Sequence, residues 1–352
     1  MTTDTDRDTL RIGFIGAGAN TRSRHIPGFQ AIEGVELAAV CNRSRESGQR
    51  VAEEFGIARV AEDPGALFDD PEIDAICIGT WPYRHREYSV RALEAGKHVL
   101  CEARMAMDAA EAREMLAAAQ ARPDLVAQLV PAPFDLASWR TIRRLLAEGA
   151  LGELREAHVT VLGGGALDPA QPLHWRERGE YSGRNTMMLG IFAETVQRWL
   201  GPTERVVADA ATFVTSRRDQ ESGEDYEIGI PDSLGVFARM ANGARVSYQL
   251  SGLTHAPAIA NGISLYGSAA SLHWTQAGDG MSLAPLGEEP RLLEPDPGTA
   301  GAWNVEADFV ASIREGAPVE LTSFEDGLRY MQFTEAVWRS WSEGRAVALD
   351  EL

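Results

Sequence analysis

Lysine is nearly missing from this chain of 352 residues: Lys97 stands alone against 32 arginines. A reaction that needs an amine base has one candidate in the whole sequence, and a guanidinium, which stays protonated, cannot replace it. Cysteine is scarce as well. Cys41, Cys77 and Cys101 are an odd set, each at or near the end of an apolar run and without metal-ligand spacing. That argues against a closed disulfide framework and for buried thiols in a reducing compartment, and no metal is expected. No apolar run approaches the roughly 20 residues of a membrane span, so no membrane partner is expected. Positive charge is short: 33 basic against 52 acidic residues leave a net charge of −19, which opposes approach to nucleic acid or anionic lipid. Residues 1–9 are polar and acidic, unlike a signal or transit peptide, and read as a frayed tail; a cytoplasmic location is the expectation.

What is present suits a globular protein. The hydrophobic share is 44% and the charged share 24%, and the length allows two domains, since a single core stops growing near ~250–300 residues. A stretch near the start organises the rest. A short apolar run over 10–15 breaks into Gly16-Ala17-Gly18-Ala19-Asn20-Thr21, and a helical pattern with Ile26, Phe29 and Ile32 follows. Strand, glycine turn and helix start form a unit that holds a pyrophosphate: glycines permit the turn and the close approach, and helix N–H groups face the anion. The third small position of that fingerprint holds Thr21 instead of Gly or Ala.

The turn heads a series. Further buried strands are expected at 35–41, 73–78, 98–101 and 125–130, with helices between them. Alternating strands and helices of this size predict a doubly wound parallel sheet, a Rossmann domain over 10–130. In that fold the end of the second strand meets the adenosine ribose, where a carboxylate would bind the 2′-hydroxyl. Here it reads Asn42-Arg43-Ser44. Arg43 can pair with a phosphate and Ser44 can donate to one, so NADP(H) is preferred over NAD(H). Beyond 130 the grammar changes to strand-like runs at 154–162, 206–214, 233–239, 245–250, 259–266 and 271–274, with short glycine turns. These predict a second α+β domain over 131–352, built on a large, mostly antiparallel open sheet with helices on one face. A second subunit is the simplest cover for the other face, so a homodimer or homotetramer through this sheet is expected.

Several stretches carry a family resemblance: 11–18 with His25-Ile26-Pro27, 74–80 with His85, 92–102, 149–154, Trp199-Leu200-Gly201, Tyr266-Gly267-Ser268 and 325–330. On them the chain resembles the Gfo/Idh/MocA family of NAD(P)-dependent sugar and polyol oxidoreductases over nearly its whole length, most specifically at 96–102. The resemblance implies a nicotinamide cofactor held by Gly16, Gly18, Ala19, Asn20, Thr21, Asn42, Arg43, Ser44, Thr80, Trp81, His85 and Glu102. It also implies a small-molecule substrate. In the family a lysine after the Cys-Glu pair takes the substrate proton; here Ala103 and Arg104 follow Glu102. The family's catalytic Asp and His, four residues apart on a helix, correspond to Met188 and Phe192, on an apolar stripe with Thr195 and Trp199.

Another group must then move the proton. Lys97 lies at the wrong end of its strand. The segment 173–185 leads into the family's catalytic helix and is dense in reactive groups. His174 and Tyr181 are its acid/base candidates, and His85, near the nicotinamide by resemblance, is a further relay candidate. Arg104 can polarise a carbonyl or hold a carboxylate. Arg176, Arg178 and Arg184 with Arg104 would form a positive recess for an anionic substrate such as a sugar acid, with Trp175 and Asn185 beside it; the alternative is pairing with Glu177 and Glu180. Glu194 reads as a surface pair with Arg198. Two functions stay open: an oxidoreductase with a displaced proton relay, or a redox-inactive member, either a non-redox enzyme or a cofactor-binding scaffold.

Overall fold

The computed structural model describes residues 9–352, so the expected tail lies, but for residue 9, outside it. The chain forms two compact units. One gathers the residues up to Ala106 with 110–131 and 304–328, and the other holds 107–109, 132–303 and 329–352.

In the first unit short apolar runs form β1 (Leu10–Ile15), β2 (Val35–Cys41), β3 (Arg59–Val60), β4 (Ala75–Ile78), β5 (His98–Cys101) and β6 (Ala127–Leu129). Their order is β3-β2-β1-β4-β5-β6 and every pairing is parallel. The strands are buried nearly throughout because helices cover them: α1 (Ile26–Gln30), α2 (Arg45–Phe55), α3 (Gly65–Phe68), α4 (His85–Glu94) and α5 (Ala109–Ala121). This is the expected doubly wound sheet with one strand more: β3 is two residues long and carries Arg59, too short and polar to show as a run. The order reverses between β1 and β4, the place where such sheets bind ligands.

The second unit contains α6 (Trp139–Ala147), β7 (Leu154–Leu162), α7 (Gly179–Ser182), α8 (Leu189–Leu200), β8 (Thr203–Ala211), β9 (Ser216–Arg218), β10 (Asp225–Glu227), β11 (Ser233–Met240), β12 (Arg245–Ser251), β13 (Gly262–Gly267), β14 (Ala270–Thr275), β15 (Gly280–Pro285) and β16 (Arg291–Leu293). Later in the chain come α9 (Val305–Glu315), which belongs to the first unit, α10 (Phe324–Glu343), which begins in the first unit and ends in the second, and β17 (Val347–Ala348) of the second. Nine strands make one sheet in the order β16-β15-β14-β13-β7-β12-β11-β8-β17, and β9 with β10 forms a separate hairpin. Only the β7–β12 pairing in the large sheet is parallel. Alternation decides the two faces. Inward, Tyr248 meets Phe333 of α10 with ring centres 5.2 Å apart, and Trp274 packs edge-on against Phe192 and Trp199 of α8. Outward, Val207 lies opposite Phe237 across β8 and β11, and these side chains are 46% and 63% exposed.

The expected boundary at 130/131 is not the whole division. Segment 304–328 returns to the first unit, where Phe309 of α9 packs edge-on against Phe29 of α1 at 6.2 Å and Leu129 N–H donates to Thr322 O at 2.9 Å. Such a return depends on which apolar face meets which, and local patterns do not encode it. Among the described residues no helix is long and apolar enough to cross a membrane, and no group of three His, Cys, Asp or Glu could hold a metal.

Candidate functional site

In the first unit β1, β2, β4 and β5 deliver Gly16, Asn42, Gly79 and Glu102 to the carboxyl edge of the sheet. Gly16 has φ +83°, and a Cβ there would lie 2.7 Å from Thr80 Cγ2 and 2.9 Å from Thr80 N, so only glycine makes this turn. A Cβ on Gly18 would meet nothing nearer than Gly79 O at 3.9 Å. The space over Gly18 is therefore open, as a cradle for a diphosphate requires. Thr21, the unusual third position, is buried and its hydroxyl donates to Gly16 O at 3.3 Å. It fits because Gly79 faces it: a Cβ on Gly79 would come within 2.1 Å of Thr21 Oγ1 and 2.4 Å of Gly16 O. The side chain that the turn gained is matched by one that the neighbouring strand lacks. Ala19 and Asn20 beside the turn are exposed.

The residues after β2 have internal work. Asn42 Oδ1 accepts from Ala17 N–H at 2.7 Å and its amide donates to Ser47 Oγ at 3.0 Å, tying the second strand to the glycine turn. Ser44 Oγ accepts from Ser47 N–H at 3.2 Å as the N-cap of α2. Arg43 between them is exposed.

His85 corrects an expectation. It is fully buried, with Nδ1 against Arg104 O and Nε2 against Thr80 O, both at 2.9 Å. Burial outweighs the two carbonyls and holds its pKa below the usual histidine range, so the neutral ring has a single N–H, which donates to one carbonyl while the other nitrogen lies against the second. It fastens the Thr80 loop to the Arg104 loop and offers no nitrogen to a substrate. Thr80 Oγ1 is buried and Trp81 stands 6.5 Å from the Tyr83 ring. Arg104 is buried, 4% exposed, within this unit. Lys97 is buried too, donating to Asp70 O and Ile73 O at 2.7 and 2.6 Å.

Glu102 sits in a buried cluster. Its Oε1 accepts from Asn20 Nδ2 and from His25 Nε2, the latter at 3.0 Å, and its Oε2 accepts from Ala103 N–H at 3.0 Å. His25 Nδ1 lies 2.5 Å from Glu306 Oε1. Burial disfavours a charged imidazole, but the two carboxylates overcome it and raise the His25 pKa to about 9. Burial likewise works against a charged Glu102, yet His25, Asn20 and Ala103 hold it below the usual carboxylate range.

In the second unit the loop after β7 frames a recess of about 260 Å³. Its polar side carries His174, Arg176, Glu177 and Asp232, and its apolar side includes Val214, Ile228 and Ile230. His174 caps a short helical turn: Nδ1 accepts Arg176 N–H at 3.2 Å, while His174 N–H donates to Glu177 Oε2 at 2.8 Å. With Nδ1 an acceptor, the neutral ring carries its proton on Nε2. Burial and the Arg176 charge keep its pKa below the usual value. Arg217, 3% exposed, holds the frame by donating to Glu177 Oε1 at 2.8 Å and to the carbonyls of Asp168, Gln171 and Ala166. Both carboxylate oxygens of Asp232 accept N–H groups of Phe213 and Val214.

Of the four arginines expected to form a positive recess, the three in the second unit have different surroundings. Arg176 lines the cavity and stacks over Trp175 at 4.4 Å. Arg178 pairs with Asp219 at 2.7 Å and with Glu180 at 3.2 Å, and stacks over Tyr181 at 5.6 Å. Arg184 pairs with Glu335 at 3.1 Å. Neighbouring carboxylates thus take two of the four, while Arg104 belongs to the first unit. Asn185, 1% exposed, donates to Ser182 O and is part of the framework. The Glu194–Arg198 pair is buried, not superficial: Arg198 also meets Asp135 at 2.7 Å, which in turn accepts from Trp199 Nε1 at 2.8 Å.

Comparison with known proteins fits both halves. Residues 10–128 match the oxidoreductase family model with NAD-binding Rossmann fold, and 139–273 match the GFO/IDH/MocA C-terminal domain. The chain belongs to the GFO/IDH/MocA oxidoreductase family. An uncharacterised oxidoreductase of Rhizobium meliloti is 27% identical over 96% of this chain and 98% of its own length. The 1,5-anhydro-D-fructose reductase of Ensifer adhaerens is 36% identical over 42% of this chain and 44% of its own. Among solved structures, levoglucosan dehydrogenase in complex with NADH and L-sorbose shares the fold with a TM-score of 0.87 at 22% identity, over 97% of this chain and 99% of that one. This GFO/IDH/MocA member has a Rossmann unit that takes a nicotinamide cofactor, and the open turn over Gly18 fits one.

Sequence reasoning missed His25, Glu306 and Gly79 in the first unit and Arg217 and Asp232 in the second. His25 stood in a stretch of resemblance without a role. Arg217 is one of 32 arginines and gives no signal until folded. In this family member Phe192 is fully buried, 5.6 Å from Phe134, and Met188 is the N-cap of α8.

Proposed function

We propose that this oxidoreductase reduces the carbonyl group of a sugar-like substrate, using NADP(H) in preference to NAD(H), through a proton relay unlike that of its relatives. The His174 ring carries the reading. Its Nδ1 is committed to Arg176 N–H, which leaves Nε2–H as the ring's donor, and the residue lines the recess. A donor suits the oxygen of a carbonyl as it gains charge, and it does not suit removal of a proton from an alcohol. A reduced nicotinamide, when bound, would supply hydride to the carbonyl carbon, and the oxygen would then need one proton. The Tyr181 hydroxyl delivers it, while His174 polarises the oxygen and Arg176 can hold a carboxylate if the sugar bears one. Ala103, Met188 and Phe192 at the positions of the family's Lys, Asp and His explain why the proton must travel another way. The names of the relatives, an anhydrofructose reductase and a levoglucosan dehydrogenase, support a sugar substrate.

On the cofactor side, Gly16, Gly18, Ala19, Asn20 and Thr21 line the diphosphate turn, and Thr80, Trp81 and Glu102 stand along the same edge. Arg43 supports the preference for NADP(H), because it offers a guanidinium where an NAD site has a carboxylate; Glu46, in the first turn of α2, is the opposing charge. Comparing dissociation constants for NADPH and NADH by nicotinamide fluorescence tests the preference, and tighter NADH binding rejects it. A second copy of the chain covers the open sheet face around Val207 and Phe237.

The replaced catalytic positions favour one other reading, a redox-inactive member that keeps its cofactor. Mixing the protein with NADPH and a panel of keto-sugars separates the two. Oxidation of NADPH that falls in His174→Ala and Tyr181→Phe supports the proposal, whereas tight cofactor binding without turnover on any substrate supports the alternative.

A further inference from the structure

Behind Glu102, already read as a cofactor ligand, His25 and Glu306 complete a buried cluster and have no role above. Its three ionisable members come from distant parts of the chain: His25 from the helical turn after the glycine loop, Glu102 from the end of β5, and Glu306 from α9, some 200 residues further on. Space is reserved for it. A Cβ on Gly28 would lie 2.6 Å from Glu306 Oε2, so a glycine in α1 admits the Glu306 side chain to the imidazole. His25 is fully buried with one carboxylate on each ring nitrogen, at 2.5 and 3.0 Å. A neutral imidazole has a single N–H and could serve only one of them; the imidazolium serves both.

Glu102 has a different character from Glu306. Its side chain keeps 14% exposure at the carboxyl edge of the sheet, against 4% for Glu306. A carboxylate has about four acceptor positions. Asn20 and His25 occupy two of them on Oε1 and Ala103 one on Oε2, which fixes the plane of the group and leaves one acceptor position on Oε2. A carboxylate oriented in this way suits a ligand hydroxyl.

We propose that His25, braced by Glu306, is a positioning residue that orients Glu102 to accept a hydroxyl of the bound dinucleotide, so that the returning segment 304–328 completes the cofactor site. This rests on the reading of Glu102 as a cofactor ligand. The charged groups that act on His25 include Glu102 and Glu306, and both carboxylates also act on the Cys77 thiol of β4; burial and these carboxylates push that thiol far above the usual range, so it does not titrate with His25.

The test is a double-mutant cycle on NADPH binding, with His25→Leu, Glu102→Gln and the pair, read as dissociation constants by fluorescence. The expected result is roughly tenfold weaker binding for each single variant, the loss of one hydrogen bond to a charged group, with no further loss in the pair. Losses that multiply in the pair show that His25 does not act through Glu102 and overturn the proposal. Weaker binding in Glu102→Gln with none in His25→Leu overturns the positioning role alone. No change in Glu102→Gln overturns the reading of Glu102 and the proposal with it. If His25→Leu does not fold, Glu306→Gln decides by the pH profile of binding. Wild-type affinity should hold until the pH nears 9 and then fall, and removing one carboxylate should bring that fall to lower pH. Superimposable profiles overturn the proposal.

Discussion

At Gly79 a single methyl group would meet both Thr21 Oγ1, 2.1 Å away, and Gly16 O, 2.4 Å away. One contact involves backbone and cannot be relieved by a rotamer change. Gly79→Ala should therefore cost about 2 kcal/mol of stability and weaken dinucleotide binding together; a thermal melt and a cofactor titration check it, and unchanged values in both would contradict the account of the turn. His25 makes a second prediction at this scale. Its pKa is raised from 6.5 to about 9. Its contribution to stability, about 3 kcal/mol, is complete below about pH 6.5 and disappears as the pH rises through 9. Urea midpoints measured at pH 6, 8 and 10 should decline in the wild type more than in His25→Gln. Parallel declines would rule out His25 as the source.

Among the elements, the loop after β7 depends on one side chain. Arg217, in the short strand β9, ties Glu177 and three loop carbonyls together beneath the recess. Arg217→Met should cost about 2–3 kcal/mol and expose the loop 163–177 to protease. Unfolding by urea and limited proteolysis measure the two effects, and a resistant loop would show that other contacts hold the frame. The sequence made these elements legible to different degrees. Strands β1, β2, β4 and β5 announced themselves as apolar runs between turn residues, because a strand buried on both faces needs little context. The hairpin of β9 and β10, with Ser216, Arg218, Asp225 and Glu227, is polar and short, and nothing local distinguishes it from a loop. Helix α8 was legible as a helix but not in its environment: Glu194 and Arg198 showed helical pair spacing, and only Asp135, more than fifty residues earlier, makes that pair part of the core.

For the whole molecule, the class of fold and the cofactor turn could be read from residues 10–21 and the alternation that follows, and the family models agree. The chemistry was less legible. Of the four arginines read as one positive recess, Arg178 takes the alternative pairing with Glu180, which the sequence offered, while Asp219 and Glu335, far along the chain, claim Arg178 and Arg184 without a trace in any local pattern. His85 was misplaced for a related reason, since its buried ring is enclosed between two main-chain carbonyls. The open sheet face makes a prediction of its own. If a second copy covers Val207 and Phe237, Phe237→Asp should lower the mass measured by light scattering with little loss of monomer stability, since the ring is 63% exposed. An unchanged mass would place the interface elsewhere.

The central claim is the proposal that this oxidoreductase reduces a keto-sugar with hydride from NADPH, with His174 and Tyr181 serving the carbonyl oxygen. The most direct test follows deuterium from NADPH labelled at nicotinamide C4 into a panel of keto-sugars by mass spectrometry. The account predicts a hydroxy product one mass unit heavier, formed more slowly by Tyr181→Phe at unchanged cofactor affinity. Deuterium that stays on a tightly bound cofactor, with every substrate unaltered, would contradict it.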